Sequence, residues 1–411
     1  MHFALHAGTV IDPVAGALPD HIIEVQDGTI TAVSPAADWS GSGVPVHDAS
    51  TLVVVPGFVD CHDHLTISGG DEVEQALRPF ARQAVTATVV ARTIIEAGIT
   101  TVRTLGDADA MDIKAKRAID EGKIPGPRII PAVAPITRTG GHAHFMGTVA
   151  DGEDAVRRAV RQHLATGARW IKVMASGGNS TPGSDPMVQE FTDAELLAVG
   201  DEAARAGLDV TGHLHGGPAV DTAIKAGFRS IEHGAFLTTE QLDQIAEAGM
   251  WLVSTVGIGR AVADDPTAPE FYRVKAQRAL ARRIQMLREA RARGVKVAIG
   301  CDGNHGKVAV EADALLEAGF APLEVLRSLT LEGARLCRTD DVQGTVEVGK
   351  HADLVVLGSD PLASASSYSD VRAVYRYGQL YPVSQPRSSE RLSDQHLTRE
   401  PVVNGPATAG A

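Results

Sequence analysis

The chain has 411 residues, 44% of them hydrophobic, with 38 Lys and Arg against 51 Asp and Glu for a net charge of −13. That length accommodates one large domain and a smaller one, and the negative charge argues against nucleic acid or an anionic membrane surface as partner. No apolar run reaches membrane-spanning length, the opening MHFALHAGTVIDP lacks the basic and apolar regions of a secretory signal, and Cys61, Cys301 and Cys337 are too sparse for a disulfide framework, so a cytoplasmic protein is expected.

Residues 1–55 carry short strand signals at Phe3–Leu5, Ile22–Val25, Thr29–Val33 and Leu52–Val55, separated by turn residues such as Asp27-Gly28. From Gly57–His62 onward the pattern changes. Helix-like segments end in glycine, and a short apolar strand follows at once: EAGITTVR, ATGARWIKV, RAGLDVTGH, KAGFRSIEH, EAGMWLVS and ARGVKVAIGCD. Gly98, Gly167, Gly207, Gly227, Gly249 and Gly294 sit where a helix C-terminus tolerates positive φ. The segments before them, such as 193–206 and 240–248, are amphipathic. With Gly57–His62 and Arg128–Ala134 there are eight candidate strands alternating with helices. This predicts an α/β fold with a parallel sheet closed as a (β/α)8 TIM barrel over 56–339, a doubly wound sheet being the alternative. Residues 344–381 return to the style of the first segment, so 1–55 and 340–385 together predict a small β-sandwich. Residues 386–411 are rich in Ser, Pro, Arg and Glu and read as a disordered tail.

Several units place a polar residue at the strand end, where barrel enzymes carry their catalytic groups. Gly167 leads to Lys172, Gly207 to His213, Gly227 to His233 and Gly294 to Asp302; the first strand ends in VDCHDHL with His62 and His64. Residues two apart on a strand share a face, so both imidazoles can point inward, and the same parity puts Ala298 and Gly300 beneath Asp302. Singly, each histidine would pass for a surface or hydrogen-bonding residue. Four histidines, an aspartate and a lysine on successive strand ends point to a metal centre.

These segments resemble the amidohydrolase superfamily, in its imidazolonepropionase-like and prolidase-like branch of Xaa-Pro dipeptidases and ochratoxin-hydrolysing enzymes. PGFVDCHDHL is similar to the first-strand motif, WIKVMASGG to the fourth, VTGHLHGG and SIEHG to the fifth and sixth, and AIGCDGN to the eighth. The resemblance implies two divalent metal ions, zinc given the His-rich set. His62, His64, Lys172, His213, His233 and Asp302 would be the ligands, with Lys172 N6-carboxylated as the bridging anion. Asp302 would be the proton carrier and His142, from GGHAH, a catalytic contact to the substrate carbonyl. His144, His215 and Asn304 join His142 as expected substrate-binding residues. HLHGG has His215 where many prolidase-like relatives have a tyrosine.

The expected reaction is hydrolysis of an amide in a small N-acyl amino acid or peptide-like molecule through a metal-bound hydroxide. A cyclic amide or lactone hydrolase and a non-catalytic metal-binding barrel are the alternatives. The partner is a small molecule, and a homo-oligomer is compatible with this reading. Specificity is expected from the segments 179–189 and 256–267, read as loops, with Lys307 and Arg138 as the nearest fixed cations. Arg103 reads as an inward ion-pair partner, and Cys61 and Cys301 as packing residues turned away from the metals.

Overall fold

The computed structural model describes residues 2–41 and 43–383; the expected tail at 386–411 lies outside the described residues. The alternation read from the sequence is present as an α/β fold built on parallel strands. All six glycines named above have positive φ, between 65° and 115°. The helix Glu153–Thr166, for example, stops at Gly167, whose N–H reaches the carbonyls of His163 and Leu164, and the chain turns into the strand Trp170–Val173. Helix starts are fixed as firmly. Thr192 with Glu195 forms a capping box ahead of Asp193–Arg205, and Thr238 with Gln241 does so ahead of Thr239–Glu247.

Pro135–Thr137, Trp170–Val173, Asp209–Leu214, Ser230–His233, Trp251–Ser254 and Lys296–Ile299 lie side by side as parallel strands. Phe58–Asp63, Ile99–Thr104 and Arg128–Pro131 form a second parallel group. Backbone hydrogen bonds bring the two groups together at both margins: Arg169 N donates to Pro131 O at 2.8 Å, and Asp302 N to His62 O at 2.7 Å. Leu196, Val199, Leu242 and Ile245 pack the helices onto the strands in one large core. Burial on both faces is what a parallel sheet covered by helices requires.

The two chain ends meet in one mixed sheet. Its strands run in the order Gln379–Pro382, Val371–Arg376, Leu354–Leu357, Val46–Pro56, His2–Asp12, Gly16–Gln26 and Thr29–Pro35. The short strands expected near the N-terminus are parts of these longer ones. Ile30 N donates to Lys350 O and Ala352 N to Gly28 O, each at 2.8 Å, so the outermost N-terminal strand also touches the C-terminal segment. Phe3, Leu5, Ile23, Val25, Val54, Leu354 and Tyr375 form a second core within this sheet. Among the described residues, no helix is long and apolar enough to cross a membrane.

Candidate metal centre

The strand Phe58–Asp63 delivers His62 and His64 to one end of the parallel strands. His62 Nε2 lies 3.1 Å from Asp302 Oδ1, and His64 Nε2 lies 3.6 Å from the same oxygen. Ligand atoms of His62, His64 and Asp302 all fall within 4.8 Å of one another, a group able to hold a metal ion. The His233 ring centroid is 5.0 Å from that of His62 and 4.4 Å from that of His213. Lys172, 1% exposed, lines the same cavity. All six expected ligands are therefore gathered at one place.

The donor chemistry fits divalent cations. His62 Nδ1 is held by Glu232 at 2.8 Å, His64 Nδ1 by the Gly106 carbonyl at 2.6 Å, and His233 Nδ1 by Thr255 Oγ1 at 2.7 Å. Each contact leaves Nε2 for a metal, the usual outer-shell arrangement of ligating histidines. His213 Nε2 is buried with no hydrogen-bond partner among the described residues. Burial pushes His64 down to about 4 and His213 and His233 well below the ordinary range, so their lone pairs are free at neutral pH. Burial acts to raise Asp302, but the charges and hydrogen bond of His62, with His64 and Lys172, hold it far below the usual carboxylate range. The Lys172 amine makes no hydrogen bond or ion pair among the described residues, and burial lowers its pKa to about 8.

The first strand also holds its own frame. Asp60 Oδ1 accepts from His62 N at 3.0 Å and Cys301 N at 3.1 Å; Asp63 Oδ1 accepts from His64 N at 2.9 Å and Gly303 N at 2.8 Å. The two aspartates of VDCHDH thus tie both histidines to the segment carrying Asp302. Gly300 lets the strands approach, since a Cβ there would sit 2.4 Å from His62 Cβ. Beneath His62, Glu232 pairs with Arg103 at 2.7 Å. Burial opposes the Glu232 charge, yet the Arg103 guanidinium and His62 bring its pKa down to about 2. Arg103 is fully buried and stacks 4.4 Å above the Trp170 ring. Cys61 and Cys301 are buried packing residues.

Of the expected substrate contacts, His142 and His215 line the cavity. The His142 ring centroid is 4.3 Å from that of His213. Thr181 Oγ1 accepts from Ala143 N at 3.0 Å and lies 2.9 Å from His142 Nδ1. His144 is exposed and bonds the Gly141 carbonyl, and neither it nor Asn304 lines the cavity.

The expected cations are elsewhere too: Arg138 pairs with Glu190, and exposed Lys307 precedes the helix Val308–Glu317. The segment 256–267 is not a loop over most of its length. Val256–Asp264 is a helix, because Ile258, Val262 and Ala263 bury against Tyr272 and Ala276. Sequence reasoning missed the wall opposite the histidines, formed by Tyr272 and Arg283 of the helix Glu270–Ala292 and by Glu72. Tyr272 OH donates to Glu72 Oε1 at 2.8 Å, and burial raises Glu72 to about 7.

Parallel strands that bring four imidazoles, a lysine and a carboxylate to a single cavity are the framework of a metal-assisted hydrolase. Residues 53–381 match the family model of the amidohydrolase family, so the chain belongs to that family and is an enzyme. Among its relatives, ochratoxinase from Aspergillus niger is 27% identical over 92% of this chain and 86% of its own length. Imidazolonepropionase from Micrococcus luteus is 28% identical over 90% and 96%. Among solved structures, a Xaa-Pro dipeptidase with methionine bound in its active site superposes with a TM-score of 0.88 at 32% identity, covering 93% of this chain and all of that one.

Proposed function

We propose that this chain is a binuclear metal-dependent hydrolase that cleaves an amide bond in a small N-acyl amino acid or peptide-like substrate. On this reading the eight parallel strand units of 56–339 close as a (β/α)8 barrel. Residues 1–55 and 340–385 form the small β-sandwich beside it, and the enzyme works in the cytoplasm. The observation that carries the proposal is the convergence of His62, His64, His213, His233 and Asp302 around a buried Lys172 that makes no hydrogen bond among the described residues. His62 and His64 would hold one cation and His213 and His233 the other, with Asp302 on the first and carboxylated Lys172 between them. Zinc suits this donor set. Bound there, the two cations supply an acidified water and stabilise negative charge on the carbonyl oxygen.

The chain's own groups do the rest. Asp302, kept ionised by the surrounding imidazoles, takes the nucleophile's proton and hands it to the leaving nitrogen. Neutral His142, in the tautomer that carries its proton on Nε2, would donate to the substrate carbonyl. Burial pushes its pKa to about 3, so it serves as a hydrogen-bond donor and not as an acid. His215 shares the cavity as a substrate contact, while His144 and Asn304 would reach a substrate only from outside its lining.

The dipeptidase among the structural relatives supports an amide over a lactone or a cyclic amide. The test combines elemental analysis of purified protein with a panel of N-acyl amino acids, dipeptides, cyclic amides and lactones. Up to two metals per chain and best turnover on an open-chain amide are expected. Lys172→Ala should lose the second metal and most activity. Full metal content and activity in that variant would reduce Lys172 to an ordinary buried amine.

A further inference from the structure

The helix Glu270–Ala292 buries a stripe at positions 272, 276, 279, 283, 286 and 290, spaced alternately by four and three. Five of these are Tyr272, Ala276, Ala279, Met286 and Ala290. The sixth is Arg283, only 3% exposed, which lines the same cavity as the ligand histidines. Among the described residues only Nη1 of its three nitrogens makes a hydrogen bond, to the Thr255 carbonyl and, at 3.5 Å, to Thr255 Oγ1, and the buried Nε has no partner there.

No carboxylate pairs with Arg283 among the described residues. Glu311 is the acid that acts on it most strongly, but both Glu311 oxygens are engaged by Ser254 Oγ, Val256 N and Gly257 N. Of the two acids that line the cavity, Glu72 is bonded to Tyr272, and Asp302, which also acts on Arg283 through its charge, is engaged by His62. A guanidinium does not shed its proton, so its burial with Glu311 and Asp302 acting only at a distance, and no carboxylate in direct contact among the described residues, is a standing cost. Its planar fork matches a carboxylate in two parallel hydrogen bonds.

We infer that Arg283 is the receptor for a free carboxylate on the substrate. The inference rests on the amide reading and narrows it to N-acyl amino acids or dipeptides with a free C-terminal carboxylate, over cyclic amides and lactones that lack one. A purely structural role is the rival account, because Thr255 Oγ1 also holds His233 Nδ1 and Arg283 could act by positioning that ligand.

The deciding experiment uses metal-loaded enzyme with an N-acetyl amino acid and its carboxamide, together with thermal-shift binding of the free amino acid and its amide. Wild type should favour the carboxylate by at least about 30-fold in kcat/KM, the size expected for a buried charge-assisted pair. Arg283→Met should collapse that ratio toward one, mainly through KM, and abolish the thermal shift by the amino acid. Arg283→Lys should keep part of both. A wild type indifferent to the carboxylate overturns the inference, and this comparison needs no variant. So does an Arg283→Met protein that keeps the ratio while losing metal, which would make Arg283 a positioning residue for His233. Should wild type cleave no amide at all, the amide reading falls, while the thermal shift still decides whether Arg283 holds a carboxylate.

Discussion

At the strand ends, His233 and Asp302 occupy left-handed backbone, with φ of 74° and 51°. Side-chain-bearing residues held there cost of order 1–3 kcal/mol each and persist only where their surroundings fix them. Here Asp302 N is held by His62 O, and Gly234 N by the carbonyls of Leu214 and Glu232. Asp302→Asn keeps the shape but removes the proton acceptor and the charge that the surrounding imidazoles hold, so kcat should fall about 10²–10⁴-fold with a modestly lower melting temperature; steady-state kinetics and a thermal melt check this. Gly178→Ala tests His142, since a Cβ at 178 would lie 2.2 Å from His142 Nε2. The displaced imidazole should lower kcat/KM while elemental analysis still finds full metal; metal loss would mean that the loop also supports the ligands. The gathering of the proposed ligands in one cavity was legible because each lies at or just beyond a strand end in a repeated unit. Glu232, Thr181 and Thr255 were not, because one acid or hydroxyl inside an apolar strand or a loop carries no spacing signal.

The helix Glu153–Thr166 carries a pH dependence of its own. His163 is 3% exposed, its Nε2 lies 2.8 Å from Thr148 Oγ1, and burial lowers its pKa to about 4. The unfolded chain therefore binds this proton more readily. Stability is full above the unfolded value near 6.5 and falls as pH drops through the window down to about 4, by on the order of 3 kcal/mol at most. His163→Gln should remove this contribution, so denaturation curves of variant and wild type should converge or cross below pH 6. A constant difference from pH 7 to pH 4.5 would contradict it. The long helix Glu270–Ala292 shows where reading by element fails. Its seven Lys and Arg look like a solvated surface, and only the four-three spacing of its apolar residues marks Arg283 as lying on the buried face. The helix Val256–Asp264 escaped for a related reason: its glycines, Gly257 and Gly259, read as loop, while packing against Tyr272 overrides their low helix propensity.

At the scale of the molecule, the sheet from the chain ends is tied to the parallel strands by a buried polar junction. Arg128 Nη1 bonds Asp353 Oδ2 at 3.0 Å, Gln343 Oε1 at 2.7 Å and Thr101 Oγ1 at 2.8 Å, while Asp353 Oδ1 accepts from Tyr377 N. Asp353→Ala leaves Arg128 without its counter-charge and should cost about 3 kcal/mol in chemical denaturation; a loss under 1 kcal/mol would show the junction to be dispensable. The alternation of helix, glycine and strand made the α/β class legible, since that pattern is local. The order of strands in the sheet from both ends was not, because pairing across about 300 residues, as between Leu354–Leu357 and Val46–Pro56, leaves no trace in either segment alone.

That pairing bears on how the protein is made. Val46–Pro56 runs through Gly57 directly into the strand of His62, and its neighbour on one side is Leu354–Leu357. On the ribosome this neighbour emerges roughly 300 residues later, after every proposed ligand. Until then Val53, Val54 and Val55 present an open edge of the kind that invites pairing with another chain. A nascent chain stalled before residue 354 would hold all its ligands and still lack the clamp behind the first two.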